Sequence, residues 1–261
     1  MKTPISYYGG KQTMLKHILP LIPEHKLYCE PFCGGAAVFF AKDKSPIEVI
    51  NDLNGDVVNF YKVCKQDFAV LRMLIQQTPH SRKVHRESEF ILKNPEAFSD
   101  IRRAWAFWVQ ANMSFSSQIF GGYAYERKSV GTVRKTSSKK QVFNKEIPKR
   151  FDLVDIECND ALKVIKSRDT EDTFFYVDPP YYNSDCGYYA GYSIENFVGL
   201  LEALEQVKGK FLLSSYPSEV LSEFSMRNNW NTHSISKKVA VTRLTKKTKT
   251  EVLTANYKLV A

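Results

Sequence analysis

The sequence predicts an α/β fold, a mostly parallel sheet covered on both faces, with a helical segment inserted in its middle. Two observations carry this expectation. Short apolar strands alternate with helical stretches at both ends of the 261-residue chain, which is the spacing of parallel βαβ units. Residues 66–120 interrupt that alternation with helical patterns such as FSDIRRAWAFWVQANMSF and no convincing βαβ unit. A composition of 43% hydrophobic and 25% charged residues is compatible with a large core and an ordinary surface. The expected division is a discontinuous domain, residues 1–65 and 151–261, around an insert at 66–150.

The elements follow in order. Residues 27–40, LYCEPFCGGAAVFF, read as a strand ending at Glu30, a glycine turn and an apolar helix. Residues 46–52, PIEVIND, read as a second strand with an acid just past its end, followed by a helix over 54–66. A weaker strand near 153–157 precedes FFYVD at 174–178, which is rich in aromatic and β-branched residues. That strand must stop at Asp178, because neither Pro179 nor Pro180 can donate a ladder hydrogen bond. A helix over 194–207, a strand FLLSS at 211–215 and an edge or hairpin strand over 250–260 complete the pattern. Between Arg127 and Arg150, nine lysines or arginines stand against the single acid Glu146, with Ser, Thr and Gly between them. This composition predicts a basic, mobile loop, either merely solvated or an arm that orders on phosphates.

A net charge of +9 and a pI near 9.2 point to a polyanionic partner, nucleic acid first. No apolar run approaches the roughly 20 residues that span a bilayer. The N-terminus MKTPISYYGGKQ has no signal-peptide core, so a cytoplasmic protein is expected. Five cysteines, Cys29, Cys33, Cys64, Cys158 and Cys186, are an odd number with no second Cys/His pair at zinc spacing. Neither a disulfide framework nor a metal site is expected.

Two stretches carry chemistry. In Glu30-Pro31-Phe32-Cys33-Gly34-Gly35, glycines after a strand let the backbone approach a ligand closely. Glu30, Phe32 and Gly34 are the cofactor candidates here. Asp52 follows Gly34 by eighteen residues, at the end of the next strand, where an ionised carboxylate can accept from ribose hydroxyls. A plain turn is the alternative for either feature alone; their spacing favours a nucleoside cofactor. The turn is not GxGxxG, so no pyrophosphate is required, and S-adenosylmethionine fits. The second stretch is Asp178-Pro179-Pro180-Tyr181. The lone pair of an exocyclic amine is delocalised into its ring, and two acceptors can hold both hydrogens and turn it toward a methyl donor. Asp178 supplies one acceptor and the carbonyl of Pro179 the other, fixed in advance by the prolines. Tyr181 offers a face on which a base outside its duplex can stack. A turn with a capping Asp is the alternative reading of this corner.

With YYGGKQTML at 7–15, EPFCGG at 30–35, IND at 50–52, IECNDALKVI at 156–165, DPPYY at 178–182 and KTEVLTANY at 249–257, the chain resembles the Dam-like, D12-class adenine-specific DNA methyltransferases over most of its length. The resemblance implies a Rossmann-like, S-adenosylmethionine-dependent catalytic sheet with a helical DNA-recognition insert. It implies methyl transfer to the exocyclic amine of adenine in a specific double-stranded DNA sequence. Tyr7 and Lys11 would contact the cofactor, Asp52 its ribose, and Glu157 and Cys158 its adenine, with Asp160 closing that loop; Asp178 borders the methyl donor. Many members have a further glycine where this chain has Ala36, and the insert matches only loosely. Lys135, Lys139 and Lys140 are expected on phosphates. Base reading is expected of Ser116, Gln118 and Tyr123, and of Arg127 where it reaches a guanine edge. A cognate restriction endonuclease in the same host is a further expected partner. The competing readings are a methyltransferase for another amino group (RNA adenine or a cytosine amine) and a non-catalytic basic DNA-binding protein.

Overall fold

The computed structural model describes residues 1–182, 192–240 and 246–259. In chain order its helices and strands are α1 (Leu15–Ile18), β1 (Leu27–Glu30), α2 (Ala37–Ala41), β2 (Ile47–Asn51), α3 (Gly55–Gln66), α4 (Phe68–Gln77), α5 (Arg82–Lys93) and α6 (Asp100–Met113). They continue with α7 (Gly131–Val142), α8 (Glu146–Arg150), β3 (Val154–Glu157), α9 (Ala161–Arg168), β4 (Thr173–Val177), α10 (Ile194–Glu205), β5 (Lys210–Ser215), α11 (Glu219–Arg227), β6 (Asn231–Ala240) and β7 (Lys246–Ala255). The strands form one sheet in the order β3-β2-β1-β4-β5-β7-β6. The pairs β1–β2, β1–β4 and β4–β5 are parallel, while β7 runs antiparallel to both β5 and β6. The α/β expectation therefore holds, with an antiparallel hairpin added at one edge.

The chain divides into two compact units. The first comprises residues 1–16, 33–43 and 52–158, and the second residues 17–32, 44–51 and 159–261. The whole of the expected insert, 66–150, lies in the first unit, together with the N-terminal segment and the glycine turn.

In the first unit α6 is the central helix. All ten residues from Ala104 to Met113 are buried, as expected of a helix enclosed on every side. Ser99 caps its start by accepting from the Arg102 N–H, and Asn54 and Ser81 cap α3 and α5 in the same way. Phe60, Phe107 and Phe143 pack together, with Phe60 5.8 Å from Phe107 and 6.3 Å from Phe143.

The basic stretch is a correction to the sequence reading: residues 131–142 form a helix, not a loop. Its inward stripe is built from polar residues, which is why apolar periodicity does not reveal it. Thr136 is buried, and its hydroxyl lies 3.4 Å from the Asn112 carbonyl and 3.1 Å from the Thr132 carbonyl. Lys139 Nζ donates to the carbonyls of Thr3 and Ile5, both at 2.9 Å, and Lys140 Nζ to that of Gln76 at 3.1 Å. Phe143 and Ile147, one and two turns on, are fully buried.

The second unit holds every strand except β3. Cys29, Val49, Phe175, Val177 and Leu213 from the sheet share a core with Val164 and Ile165 of α9 and Leu200, Leu201 and Leu204 of α10. The helix α10 begins with a capping box between Ser193 and Asn196. Strand β4 is buried at all five positions, the pattern of a strand covered on both faces. Beyond β1 the strand order runs outward through β2, and beyond β4 through β5. The β1–β4 pair is thus a topological switch point, where open α/β sheets bind ligands beyond the carboxyl ends of the strands. Glu30 ends one of these strands and Asp178 follows the other. Neither α9, α11 nor β6 was among the expected elements, and β7 starts four residues before the expected 250; the expected end of that strand at Val260 lies outside the described residues, as does Cys186.

Candidate active site

In the first unit the two glycines of the turn exist to admit Tyr7. A Cβ on Gly34 would lie 2.9 Å from Tyr7 Cε1, and one on Gly35 would lie 2.8 Å from Tyr7 Cβ. Gly34 also has φ +43°, in the left-handed region that L side chains resist. The Gly34 carbonyl accepts from the Tyr61 hydroxyl at 2.7 Å and that of Gly35 from Thr3 Oγ1 at 2.6 Å, so the turn is tied from both sides. The Gly34 N–H donates to Asp52 Oδ2 at 2.8 Å, and the Asn54 N–H to Asp52 Oδ1 at 2.9 Å. Burial raises the Asp52 carboxyl above its ordinary range, partly offset by those two N–H donors. The Asp52 N–H reaches the Glu157 carbonyl at 3.4 Å.

Tyr7, Gly34, Asp52 and Glu157 thus form one connected set. Each carboxylate oxygen of Asp52 receives one of these N–H bonds, and a carboxylate oxygen can accept two. Lys11 is buried, with its amine donating to the Gly9 carbonyl at 3.1 Å. Cys158 is exposed, its Sγ 3.9 Å from the Leu53 carbonyl.

In the second unit Glu30 is buried and accepts from the Tyr28 hydroxyl at 2.8 Å, and Phe32 packs against the sheet core. Asn51 ties the turn after β1 to the start of α9: its Nδ2 donates to the carbonyls of Pro31 and Asn159 at 2.8 and 3.0 Å, and its Oδ1 accepts from the Asn159 N–H at 2.9 Å. Asp160 caps α9 through the Lys163 N–H. Asp178 is half-buried and Pro179 buried. The Tyr181 hydroxyl lies 3.3 Å from Asp178 Oδ1 and 3.1 Å from Ser214 Oγ. Asp178, Pro179 and Tyr181 therefore form one corner at the end of β4. Sequence reasoning missed Ser214, and with it Tyr216, whose ring meets Tyr181 edge-on at 4.5 Å. Their closeness follows from β4–β5 pairing, which no linear motif encodes.

Of the residues expected to read DNA, all in the first unit, Ser116, Gln118 and Tyr123 lie on a loop closed by pairing of Ser114 with Tyr123, and Arg127 lies four residues beyond it. Ser116, Ser117 and Phe120 all have positive φ, at 54°, 59° and 64°. Gln110 holds this loop from beneath: its Oε1 accepts from the Phe120 N–H and the Ser114 hydroxyl, both at 3.1 Å. Ser116 is exposed and Gln118 half-buried. Tyr123 packs between His80 and His85 at 5.1 and 5.7 Å, with the Arg82 guanidinium 4.9 Å from its ring centroid. Burial pushes the His85 imidazole below its ordinary range. Arg127 is exposed; Lys135 Nζ donates to Ser117 Oγ at 3.1 Å. The amines of Lys139 and Lys140, expected on phosphates, donate to backbone carbonyls. No group of three or more His, Cys, Asp or Glu side chains able to hold a metal occurs among the described residues, and no helix there is long and apolar enough to cross a membrane.

The mostly parallel sheet, the Asp-Pro-Pro-Tyr corner after its fourth strand and a net charge of +9 agree with what comparison with known proteins finds. Residues 7–258 match the family model of the D12 class N6 adenine-specific DNA methyltransferases, and the chain belongs to that family. It is an enzyme that methylates adenine in DNA. It is 29% identical over 251 residues to the type II methyltransferase M1.LlaDCHI of Lactococcus lactis subsp. cremoris, covering 87% of this chain and 84% of the relative. It is 26% identical over 205 residues to the type II methyltransferase M.MjaIII of Methanocaldococcus jannaschii, covering 69% of each. A DNA N-6-adenine-methyltransferase of Escherichia phage P1 is 28% identical over 181 residues, 66% of this chain and 23% of that longer protein.

Proposed function

We propose that this enzyme takes its methyl group from S-adenosylmethionine and delivers it to adenine N6 in a specific sequence of double-stranded DNA. The observation that carries the reading is the corner at the end of β4, where the Tyr181 hydroxyl lies 3.3 Å from Asp178 Oδ1 and Pro179 follows Asp178 in the chain. In the first unit, Asp52 is the acceptor for the ribose hydroxyls, Tyr7 and Gly34 form the wall beside it, Lys11 meets the carboxylate, and Glu157 and Cys158 meet the adenine. The spare lone pairs of Asp52 suit such a ligand. Glu30 and Phe32 belong to the same cofactor assignment. When bound, S-adenosylmethionine supplies an electrophilic methyl group.

Asp178 and the Pro179 carbonyl accept the two N6 hydrogens, drawing the nitrogen lone pair out of conjugation, and Tyr181 stacks against the base. Fixed acceptors aimed at a nitrogen on which positive charge develops stabilise the transition state more than the ground state. Exposed cations of the basic stretch, Lys128, Arg134 and Lys135, meet phosphates, with Lys139 and Lys140 beside them. Ser116, Gln118, Tyr123 and Arg127 read bases. A cytoplasmic site of action and a cognate restriction endonuclease belong to the same reading. Asp178→Ala tests it: methyl transfer should disappear while DNA binding, measured by fluorescence anisotropy, stays within about threefold, because the carboxylate touches no phosphate. Wild-type turnover by the variant would overturn the assignment.

A further inference from the structure

The pairing of β5 with β7 places Ser214 opposite Leu253 and Ser215 opposite Val252. It carries Lys249, at the start of the KTEVLTANY motif, toward the carboxyl end of β5, and no step of the proposed reaction uses that lysine. Lys249 Nζ donates to the Tyr216 hydroxyl at 3.4 Å and lies 5.4 Å from its ring centroid. The Tyr216 ring in turn meets Tyr181 at 4.5 Å with an interplanar angle of 65°. From the other side, Ser214 Oγ, on a fully buried residue, lies 3.1 Å from the Tyr181 hydroxyl.

We infer that Ser214, Tyr216 and Lys249 are positioning residues that fix the Tyr181 ring, and through its hydroxyl the Asp178 carboxylate, for the target base. The inference rests on the adenine-methylating reading of the corner. A tyrosine has two free side-chain torsions, and a base stacks productively on only one orientation of the ring. An edge-to-face partner on one side and a hydroxyl bond at the tip remove both freedoms. The phenol has a single proton. Directed at Asp178, it leaves the phenolic oxygen to accept from Ser214, so the carboxylate that receives the amine is already held on one oxygen. Lys249 then holds Tyr216 through its hydroxyl.

The test uses the purified full chain with Tyr216→Ala, Tyr216→Phe, Ser214→Ala and Lys249→Met, and a duplex carrying 2-aminopurine at the adenine that the wild type methylates. Tyr216→Ala should lower kcat about tenfold with the KM for DNA nearly unchanged, the signature of lost orientation. Its 2-aminopurine emission should exceed that of the wild-type complex, because a loose ring quenches less. Tyr216→Phe keeps the ring and should recover most of the rate. Ser214→Ala should fall between the two, and Lys249→Met, which removes the same hydrogen bond as Tyr216→Phe, should match Tyr216→Phe. Should Tyr216→Ala unfold, the other three variants carry the same comparison. Wild-type kcat and emission in all folded variants would overturn the inference, and so would a Lys249→Met defect confined to DNA affinity, which would make that lysine a phosphate ligand. A wild-type protein that methylates no adenine would sink the underlying reading; an active wild type with indifferent variants would sink this inference alone.

Discussion

Replacing Gly34 with alanine strains the first unit at the point where the turn admits Tyr7. At φ +43° an L residue costs about 1–2 kcal/mol in backbone energy. The added methyl would also sit 2.9 Å from Tyr7 Cε1 and 3.0 Å from Cδ1. Real Cβ atoms do not approach that closely, so the ring must move. Overpacking of this kind costs on the order of 1–3 kcal/mol. Tyr7 cannot retreat freely, because its ring lies 6.3 Å from that of the buried Phe107. Gly55→Ala is the matched control: it sits at the start of α3, and nothing lies within 4 Å of its added methyl. Urea unfolding should show Gly34→Ala destabilised by about 2–5 kcal/mol and Gly55→Ala unchanged or slightly stabilised. Calorimetry with S-adenosylmethionine should show weaker binding only for Gly34→Ala. Equal stability and equal cofactor affinity in the two variants would refute the close approach of Tyr7 to the turn.

Other outcomes follow from the same geometry. Asp52→Asn removes the charge but keeps one acceptor, so cofactor affinity should fall by about 1.5–3 kcal/mol in calorimetry; an unchanged value would leave Asp52 as a support of the turn alone. Burial, with the nearby charges of Lys135 and Lys2, pushes the Lys139 ammonium down from 10.5 to about 8. Between those values the unfolded chain binds a proton that the folded chain does not, so this group adds stability as pH rises from about 8 toward 10.5. Lys139→Met should lack that rise when unfolding is measured across the same range; an identical pH profile would remove the buried amine from the account. Neutralising Lys128, Arg134 and Lys135 together should weaken binding to all DNA alike. It should also flatten the salt dependence, by about 0.9 in slope for each phosphate that is no longer neutralised. A changed sequence preference would show that these residues read bases.

The strands that place the chemistry were legible because each is followed by a residue poorly suited to a strand. Glu30 is followed by proline, Asn51 by Asp52, and Val177 by Asp178 and two prolines; the observed ends are Glu30, Asn51 and Val177. The helix α7 was not legible, since Thr136, Lys139 and Lys140 face inward and satisfy carbonyls where an amphipathic helix shows leucines. Composition misled there: the same charges that suggest a mobile arm partly pin the helix to residues 3–5 and 76. The support of Tyr181 by Ser214 and Tyr216 depends on sheet register, and that of Tyr216 by Lys249 on a strand that begins before the expected residue 250. Pairing between segments more than thirty residues apart leaves no local trace in a single sequence.

The central claim is transfer of a methyl group from S-adenosylmethionine to adenine N6, and it can be read directly. The purified protein is incubated with methyl-labelled S-adenosylmethionine and, separately, with double-stranded DNA, RNA and protein, after which the acceptor is digested and its labelled component identified. Label confined to N6-methyldeoxyadenosine from DNA, absent with Asp178→Ala, is the predicted result. Label in N4-methylcytosine, in RNA or in protein, or undiminished transfer by Asp178→Ala, would contradict it.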